Sequence, residues 1–383
     1  MALAIDRLGA VTAALAAGAI ALLPFATFRA NRIVAGDPVA VWAALPPAAG
    51  LGVAAAVLAL AAVALMRTPP AVRLAAAVAG LVLLLVAVGL AATHLTPEGD
   101  RYARVAPAAG FWTGLFAFAL MLADAVVRLR LGPLARIGGL AAAAAVFAGL
   151  FALRVFADLS IVREYGVRAE VFRREALAHM TLALGSLALA MAVGIPAGVL
   201  IARKAGLRAP VLNLLNMVQT IPSIALFGML IAPLGWIAAT VPGASAVGIA
   251  GIGMAPAFVA LFLYSLLPMV ANTFVGITGV SRTVVDAADG MGMTRRQRLM
   301  AVELPLALPV ILTGVRIVLV QNIGLATIAA LIGGGGLGVF VFLGIGQTAP
   351  DLILLGAVPT VALAFAAAVV LDALVALTGK APP

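Results

Sequence analysis

Polar side chains and Pro222 interrupt long apolar runs in the second half of this sequence, and they are the residues that could contact a solute. Hydroxyl, amide and guanidinium groups are costly in an apolar environment unless protein, water or a ligand satisfies them. Pro222 also breaks helical hydrogen bonding, so side-chain donors and free carbonyls would occur together there. The candidates for a solute path are Gln219, Thr220, Pro222, Ser223, Asn272, Arg316, Asn322 and Thr327.

Arg316 is the candidate whose insertion into a membrane costs the most free energy. Inserting an arginine at the centre of a membrane helix costs about 2.5–3.5 kcal/mol. It lies about three helical turns from the start of its apolar run at Pro305. Its guanidinium could face protein or water, or it could extend along the helix to the membrane interface.

A glycine run follows the ninth apolar run of the sequence. Glycine adopts left-handed backbone conformations and permits close backbone approach without a steric cost. The run could form a gate at one end of the path or a flexible connector. Its residues are Gly333, Gly334, Gly335, Gly336 and Gly338.

A polar loop, residues 281 to 304, separates two apolar runs and reads SRTVVDAADGMGMTRRQRLMAVEL. Ser281 can cap a first short helix, Gly292 permits a sharp turn, and Thr294 with Gln297 has the spacing of a capping box for a second helix. A surface loop of this size in so hydrophobic a protein is expected to bind a partner.

The loop resembles the signature loop of ABC import permeases, in which EAA is followed after three residues by Gly and after nine more by I-x-L-P. This chain has Asp where the family usually has Glu, which keeps a carboxylate and shortens its reach by one methylene. In that family the loop forms coupling helices that dock in a groove of the ATPase subunit, so the resemblance implies this role for residues 281 to 304. The matching residues are Asp286, Ala287, Ala288, Gly292, Val302, Leu304 and Pro305.

Roughly residues 177 to 377 look like the permeases of glycine betaine, carnitine and choline importers. Among the similar segments are Gln219 to Ser223, Gly290 to Met293 and Val302 to Pro305. The resemblance implies a type I importer fold, a second permease subunit in a homodimer or heterodimer, and a periplasmic solute-binding protein. The substrate implied is a small osmoprotectant, with another small solute such as an amino acid as the alternative.

The sequence around its two lysines excludes an ATP-binding P-loop in the chain itself. A P-loop needs Gly-Lys followed by Ser or Thr, and neither Lys204 nor Lys380 stands in that pattern. ATP and Mg would therefore be used by a separate ATPase subunit, and this chain is expected to bind no cofactor and not to be an enzyme. His94 and His179 are isolated, so we expect no zinc site and place both at solvated or helix-end positions.

The elements that must position these residues are membrane helices. The chain is 65% hydrophobic and 10% charged, and its apolar runs are continuous rather than alternating. Its net charge of +10 is scattered between the runs, so the partner is the lipid bilayer and not nucleic acid. The predicted helices, about ten, lie near 8–28, 47–66, 72–93, 108–127, 134–155, 180–202, 210–233, 246–277, 305–331 and 351–377.

Basic residues between the runs predict the orientation of the chain in a bacterial inner membrane. With the N-terminus inside, 14 Lys and Arg residues, Lys380 among them, fall on the cytoplasmic side and nine on the outer side. This favours a multi-pass protein with both termini inside. The first run is longer than the apolar core of a cleavable signal, so it is expected to remain as a helix.

A charged segment divides the sequence into two membrane parts. Residues 1–155 are expected to form an accessory bundle of about five helices, with Asp124 as its main charged exception. Residues 156–178 carry mixed charges and are expected to be a periplasmic linker, either an amphipathic helix on the outer membrane surface or a solvated segment. Residues 179–380 are the expected permease domain.

An ion-driven secondary transporter is the competing function for this all-α protein. Such a transporter would be expected to carry an acidic residue deep in its core. The nearest candidates in the second half, Asp351 and Asp372, lie towards the ends of their runs. The sequence therefore favours the ABC importer permease.

Overall fold

The computed structural model describes residues 6–32 and 34–379, most of which are helical; Lys380 lies outside the described residues. The helices are α1 (Arg7–Ala21), α2 (Val41–Ala44), α3 (Pro47–Leu65), α4 (Pro70–Leu95), α5 (Ala109–Leu129), α6 (Pro133–Ala152), α7 (Ser160–Arg203), α8 (Ala205–Thr220), α9 (Ser223–Met229), α10 (Ile231–Thr240), α11 (Met254–Thr278), α12 (Arg282–Gly290), α13 (Arg295–Arg298), α14 (Leu304–Ala326), α15 (Gly338–Gly346) and α16 (Pro350–Thr378).

Nine helical stretches within the described residues are long and apolar enough to cross a membrane, and α1 is a shorter apolar helix. The nine stretches correspond to nine of the predicted helices, whereas the predicted helix near 8–28 is shorter than expected, because α1 ends at Ala21 and a strand begins at Ala26. The predicted run at 210–233 is divided, because α8 ends at Thr220 and α9 begins at Ser223. Pro222 causes the break, since it has no N–H and disfavours helical geometry in the residue before it.

Residues 160–178, expected as part of a linker, are helical and belong to α7. Arg168 departs from helical geometry within this helix, with φ −121° and ψ 20°. Of the two alternatives for the linker, a helix or a solvated segment, residues 160–178 thus adopt the helix, and beyond Arg168 it continues without a break into the apolar run.

Two compact units make up the structure. Unit 1 contains the chain up to Gly132 together with Ala141–Val167, and unit 2 contains Pro133–Leu140 together with the chain from Arg168 onwards. In unit 1, α1, α3, α4 and α5 pack around buried aliphatic and aromatic side chains such as Leu84 and Phe118.

A small antiparallel sheet in unit 1 was not predicted. It is formed by β1 (Ala26–Arg29), β2 (Asp37–Val39) and β3 (Arg104–Pro107), in the order β2, β1, β3. Strands of three or four residues are too short to show an alternating pattern in the sequence.

A closed ion cluster joins the helices of unit 1. Arg73 is 1% exposed, and its guanidinium bonds to Asp124 at 2.8 Å and to Asp6 at 3.2 Å. Arg128 bonds to both of the same carboxylates at 2.8 Å. The Gly9 N–H bond at the start of α1 and the two guanidinium groups hold the pKa of Asp6 below its usual value. The expected exception Asp124 is thus a paired, structural charge.

Close helix contacts in unit 2 depend on small residues. On α7, a Cβ at Gly194 would lie 2.7 Å from the Met269 Cβ of α11, and one at Gly198 would lie 2.8 Å from the Val270 oxygen. Small residues four apart allow two helix backbones to approach where lipid provides no hydrophobic driving force. Helix α11 also packs against α14, and α14 packs against α16, so these helices form a packed core that carries Asn272, Arg316 and Asn322.

Candidate functional site

The loop at 281–304, which we call the coupling loop, consists of α12, a turn, α13 and a π-helical turn at Leu299–Glu303. The predicted capping box is confirmed, because Thr294 Oγ1 accepts the Gln297 N–H at 3.3 Å and Gln297 Oε1 accepts the Thr294 N–H at 2.9 Å. Gly292 has φ +78°, which favours glycine in the turn. Ser281 precedes α12, but its hydroxyl contacts that of Thr283, so the predicted side-chain cap is wrong.

An ion network anchors the coupling loop. Arg298 donates from Nη1 to Asp289 Oδ1 at 2.7 Å and from Nε to Glu303 Oε1 at 3.0 Å. Glu303 is buried and also bonds to Arg203, the last residue of α7. The network joins α12 to the start of α14 and the end of α7. None of these four residues was predicted, because acid–base pairs 9 and 100 residues apart leave no periodic signal.

The residues that match the signature motif differ in exposure. Asp286 and Ala287 of α12 are exposed, whereas Ala288 is buried at 2% exposure. Val302 and Leu304 are half-buried and Pro305 is exposed at the start of α14. The loop thus presents one side of α12 to solvent.

The break between α8 and α9 is stabilised by α11. The Gln219 side-chain amide donates to the Tyr264 carbonyl oxygen at 2.6 Å, and the Tyr264 hydroxyl donates to the Ile221 carbonyl. Pro268 explains the first bond, because it has no N–H to offer the carbonyl four residues earlier. Gln219 therefore supplies the donor that α11 lacks at Tyr264.

Replacing Gln219 by leucine is expected to lower the free energy of unfolding by about 1–2 kcal/mol, because the Tyr264 carbonyl loses its donor. Adding Pro268→Ala should recover most of this loss, since an N–H at position 268 can bond the same carbonyl. Thermal unfolding of the purified single and double variants in detergent measures both effects. A double variant no more stable than Gln219→Leu would contradict this explanation.

Asn322 lies in a buried polar junction between α7, α11 and α14. Its Nδ2 donates to Ser186 Oγ at 2.8 Å and to Ser265 Oγ at 2.9 Å. Asn272 donates to the carbonyl of Pro268 within α11 at 2.8 Å. The structure thus places Asn322 between helices, and Asn272 along its own helix.

Arg316 of α14 is paired within unit 2. It and Arg136 both bond to Asp372 of α16. The Arg316 and Asp372 side chains are 35% and 38% exposed. Its charge is therefore offset by a carboxylate from a distant part of the sequence.

The glycine run is bound to α7 by two side chains that the sequence did not indicate. Glu175 Oε2 accepts the Gly336 N–H at 3.0 Å, and His179 Nδ1 accepts the Leu337 N–H at 3.3 Å. His179 is fully buried, so its expected solvated or helix-end position is wrong, whereas His94 lies in the last turn of α4.

Positive φ angles occur at Gly333, Gly335 and Gly336, at +75°, +73° and +89°. Gly334 is buried, and a Cβ there would lie 2.9 Å from the Ala329 oxygen. Only glycine fits this run without strain, because both its backbone conformation and its contacts exclude a side chain.

Thr327 and Gly338 meet where α14 ends and α15 begins. A Cβ at Gly338 would overlap the Thr327 carbonyl oxygen. The candidate residues therefore lie in separate places. Thr220 and Ser223 flank the break between α8 and α9, and Asn322 lies between helices. Arg316 is in an ion pair, and Thr327 lies beside the glycine run.

Two family models match the chain. One, described as the N-terminal domain of ABC transporter permease YehY, matches residues 6–162. The other, described as binding-protein-dependent transport system inner membrane component, matches residues 194–381.

Curated relatives match the second half of the chain. The choline transport system permease protein OpuBB of Bacillus subtilis is 39% identical over 186 residues, 49% of this chain and 78% of its own length. The osmoprotectant import permease protein OsmW of Salmonella typhimurium is 44% identical over 179 residues, 47% of this chain and 78% of its own. Among solved structures, an inward-facing MetNI methionine ABC transporter chain has a TM-score of 0.46 and 21% identity, covering 55% of this chain and 98% of that one.

Proposed function

The chain belongs to the family of permease subunits of binding-protein-dependent ABC importers, and we propose that it carries a small quaternary-ammonium osmoprotectant, such as glycine betaine, across the bacterial inner membrane. The observation that carries the proposal is the anchored coupling loop, in which an exposed α12 is fixed by Arg298 to the start of α14.

The exposed side of the coupling loop is the surface assigned to the ATPase subunit. Val284, Met291 and Met300 are exposed apolar residues on this loop, next to Asp286. Exposed apolar side chains beside a carboxylate are typical of a surface that binds the groove of a partner protein. ATP and Mg are used in that partner, and this chain contributes no catalytic group.

Movement of the loop would be transmitted to the membrane core through α14. A π-helical turn at Leu299–Glu303 leads without interruption into α14, which packs against α11 and α16. When the ATPase subunits close, the loop moves as a unit because Arg298 ties its two helices together. Alternating access then follows from displacement of α14 against its neighbours.

A second permease subunit completes the transporter in this proposal. Helices α8 and α10 have no buried residue in the single chain, although both are largely apolar. We assign these faces to that subunit, and the capture of substrate to a periplasmic solute-binding protein. Both termini are placed in the cytoplasm.

The transport domain is assigned to residues 179–380, with the path near Gln219, Thr220, Pro222 and Ser223 and the gate at the glycine run. The family match at residues 194–381 supports the assignment of the domain. Residues 1–155 are an accessory bundle, and 156–178 connect the two parts.

Uptake in reconstituted vesicles tests the function. Glycine betaine should accumulate only when the chain, its ATPase subunit, the solute-binding protein and ATP are all present. Uptake driven by a sodium or proton gradient without ATP would contradict the importer mechanism. ATP-dependent uptake of amino acids but not of quaternary amines would contradict the substrate class alone.

A further inference from the structure

Unit 1 contains an open cavity of about 250 Å³ where α6 ends and the chain turns towards α7. Its lining residues are Phe151, Arg154, Phe156, Ala157 and Val162. All of them belong to unit 1, so the cavity is separate from the path residues of unit 2. It combines aromatic rings with one guanidinium group.

Arg154 occupies a backbone position that favours glycine. Helix α6 ends at Ala152 with Leu153 as its C-cap, and Arg154 follows with φ +56°. The residue after a C-cap is most often a glycine, because only glycine adopts the left-handed conformation freely. This turn leaves Arg154 among the residues that line the cavity.

The Arg154 guanidinium makes no hydrogen bond or ion pair with any residue that the structure describes. Its neighbour Arg163, in contrast, bonds to Asp158 at 3.0 Å. A guanidinium binds carboxylate and phosphate oxygens with two parallel hydrogen bonds. Arg154 is exposed, so an anion can reach its guanidinium from solvent.

Three phenylalanine rings pack together at this turn, and two of them, Phe151 and Phe156, line the cavity together with Arg154. The ring centroids of Phe147 and Phe151 are 5.1 Å apart, and those of Phe151 and Phe156 are 5.2 Å apart. Phe151 is 44% exposed, so part of its ring is open to the cavity. Aromatic ring faces attract quaternary ammonium groups. A ligand that satisfies both features has a methylated ammonium group close to an anionic group.

We propose that this cavity binds a small zwitterion, with its trialkylammonium group against Phe151 and Phe156 and its anionic oxygens on Arg154. The choice of ligand rests on the substrate class proposed above. Two sources have this chemistry: a free betaine, and the phosphocholine headgroup of a lipid. In either case unit 1 is a binding unit and not merely a packing bundle.

Calorimetric titration of the full chain tests the site, in nanodiscs of phosphatidylglycerol without the ATPase or solute-binding protein. Glycine betaine should bind at least about tenfold more tightly than choline, which lacks the carboxylate. Arg154→Gln should weaken the binding of glycine betaine about tenfold or more and leave that of choline nearly unchanged. Phe151→Leu should weaken both ligands.

Arg154→Gly distinguishes a loss of ligand binding from a loss of stability, because glycine adopts the left-handed conformation of this turn without strain. It should lose the binding while the melting temperature stays the same or rises. Arg130→Gln is the matched control, since Arg130 is also an exposed arginine with positive φ, +48°, after α5. This control should bind like the wild type. Unchanged glycine betaine binding in both Arg154→Gln and Phe151→Leu would overturn the proposal.

Dihexanoylphosphatidylcholine distinguishes the two sources. Binding of this lipid, but not of glycine betaine, with dependence on Arg154 would assign the site to a headgroup, and the reverse would assign it to a free solute. If neither ligand depends on Arg154, no zwitterion site exists. If vesicle uptake fails while ligand binding still depends on Arg154, the transport function is contradicted and the proposed site is not.

Discussion

Replacing Arg298 by methionine is expected to lower the rate of ATP-dependent uptake about tenfold or more. A tenfold lower rate requires the loss of only about 1.4 kcal/mol of the free energy that couples the loop to the membrane core. Arg298 contributes bonds to Asp289 and to Glu303, and bonds to charged groups are each worth about 1.5–3 kcal/mol. The variant should still fold, because Glu303 keeps Arg203 as a partner. Its loop, however, is no longer tied to the start of α14.

The readouts are glycine betaine uptake and ATP hydrolysis by the reconstituted transporter. Arg298→Met should retain hydrolysis while losing uptake, which is the signature of failed coupling. Arg298→Lys should be intermediate, because a single ammonium group cannot bridge two carboxylates as a guanidinium does. Arg67→Met, at an exposed arginine of unit 1, is the control and should transport normally. Full uptake by Arg298→Met would show that the ion network is not part of coupling.

Replacing Gly338 by alanine is expected to abolish most uptake and to destabilise the protein by about 1–3 kcal/mol, which is the usual cost of overpacking. The new Cβ would overlap the Thr327 carbonyl oxygen, a backbone atom that cannot move aside as a side chain could. The first turn of α15 must therefore separate from the end of α14. That separation also strains the bonds from Gly336 and Leu337 to Glu175 and His179.

Gly346→Ala is the matched control for Gly338→Ala. Gly346 is the last residue of the same helix, and a Cβ there meets no atom within 4 Å. Alanine is the better helix former by about 0.8–1.0 kcal/mol in a helix interior, so this variant should be at least as stable as the wild type. Thermal unfolding and vesicle uptake are measured for both. A Gly338→Ala protein with normal melting and normal uptake would contradict the close contact with Thr327.

The ion pairs explain how buried charges are tolerated in a chain this apolar. Arg73 in unit 1 and Glu303 in unit 2 are each bonded by two groups of opposite charge. Removing one partner of a buried pair is costly, since the remaining charge stays in a poorly polar environment. These networks hold helices in one arrangement where hydrophobic contacts alone, in lipid, do not select one.

The sequence by itself determined most of the membrane helices and the capping box of the coupling loop, because both depend on local patterns. The length of an apolar run decides whether it can cross a membrane, and the Thr294–Gln297 capping box needs residues only three apart. Pro222 likewise marked the helix break from its own chemistry. The signature motif pointed to the ABC importer family from residues 286 to 305 alone.

Only the tertiary structure decided which polar residues are partners. Gln219 and Tyr264, and Glu175 and Gly336, are 45 and 161 residues apart, so no periodicity relates them. The same holds for Asp372, which pairs with Arg316 across 56 residues. The turn that places Arg154 beside the rings of Phe151 and Phe156 is equally invisible in the sequence, because it depends on a left-handed backbone angle at a residue that rarely adopts one.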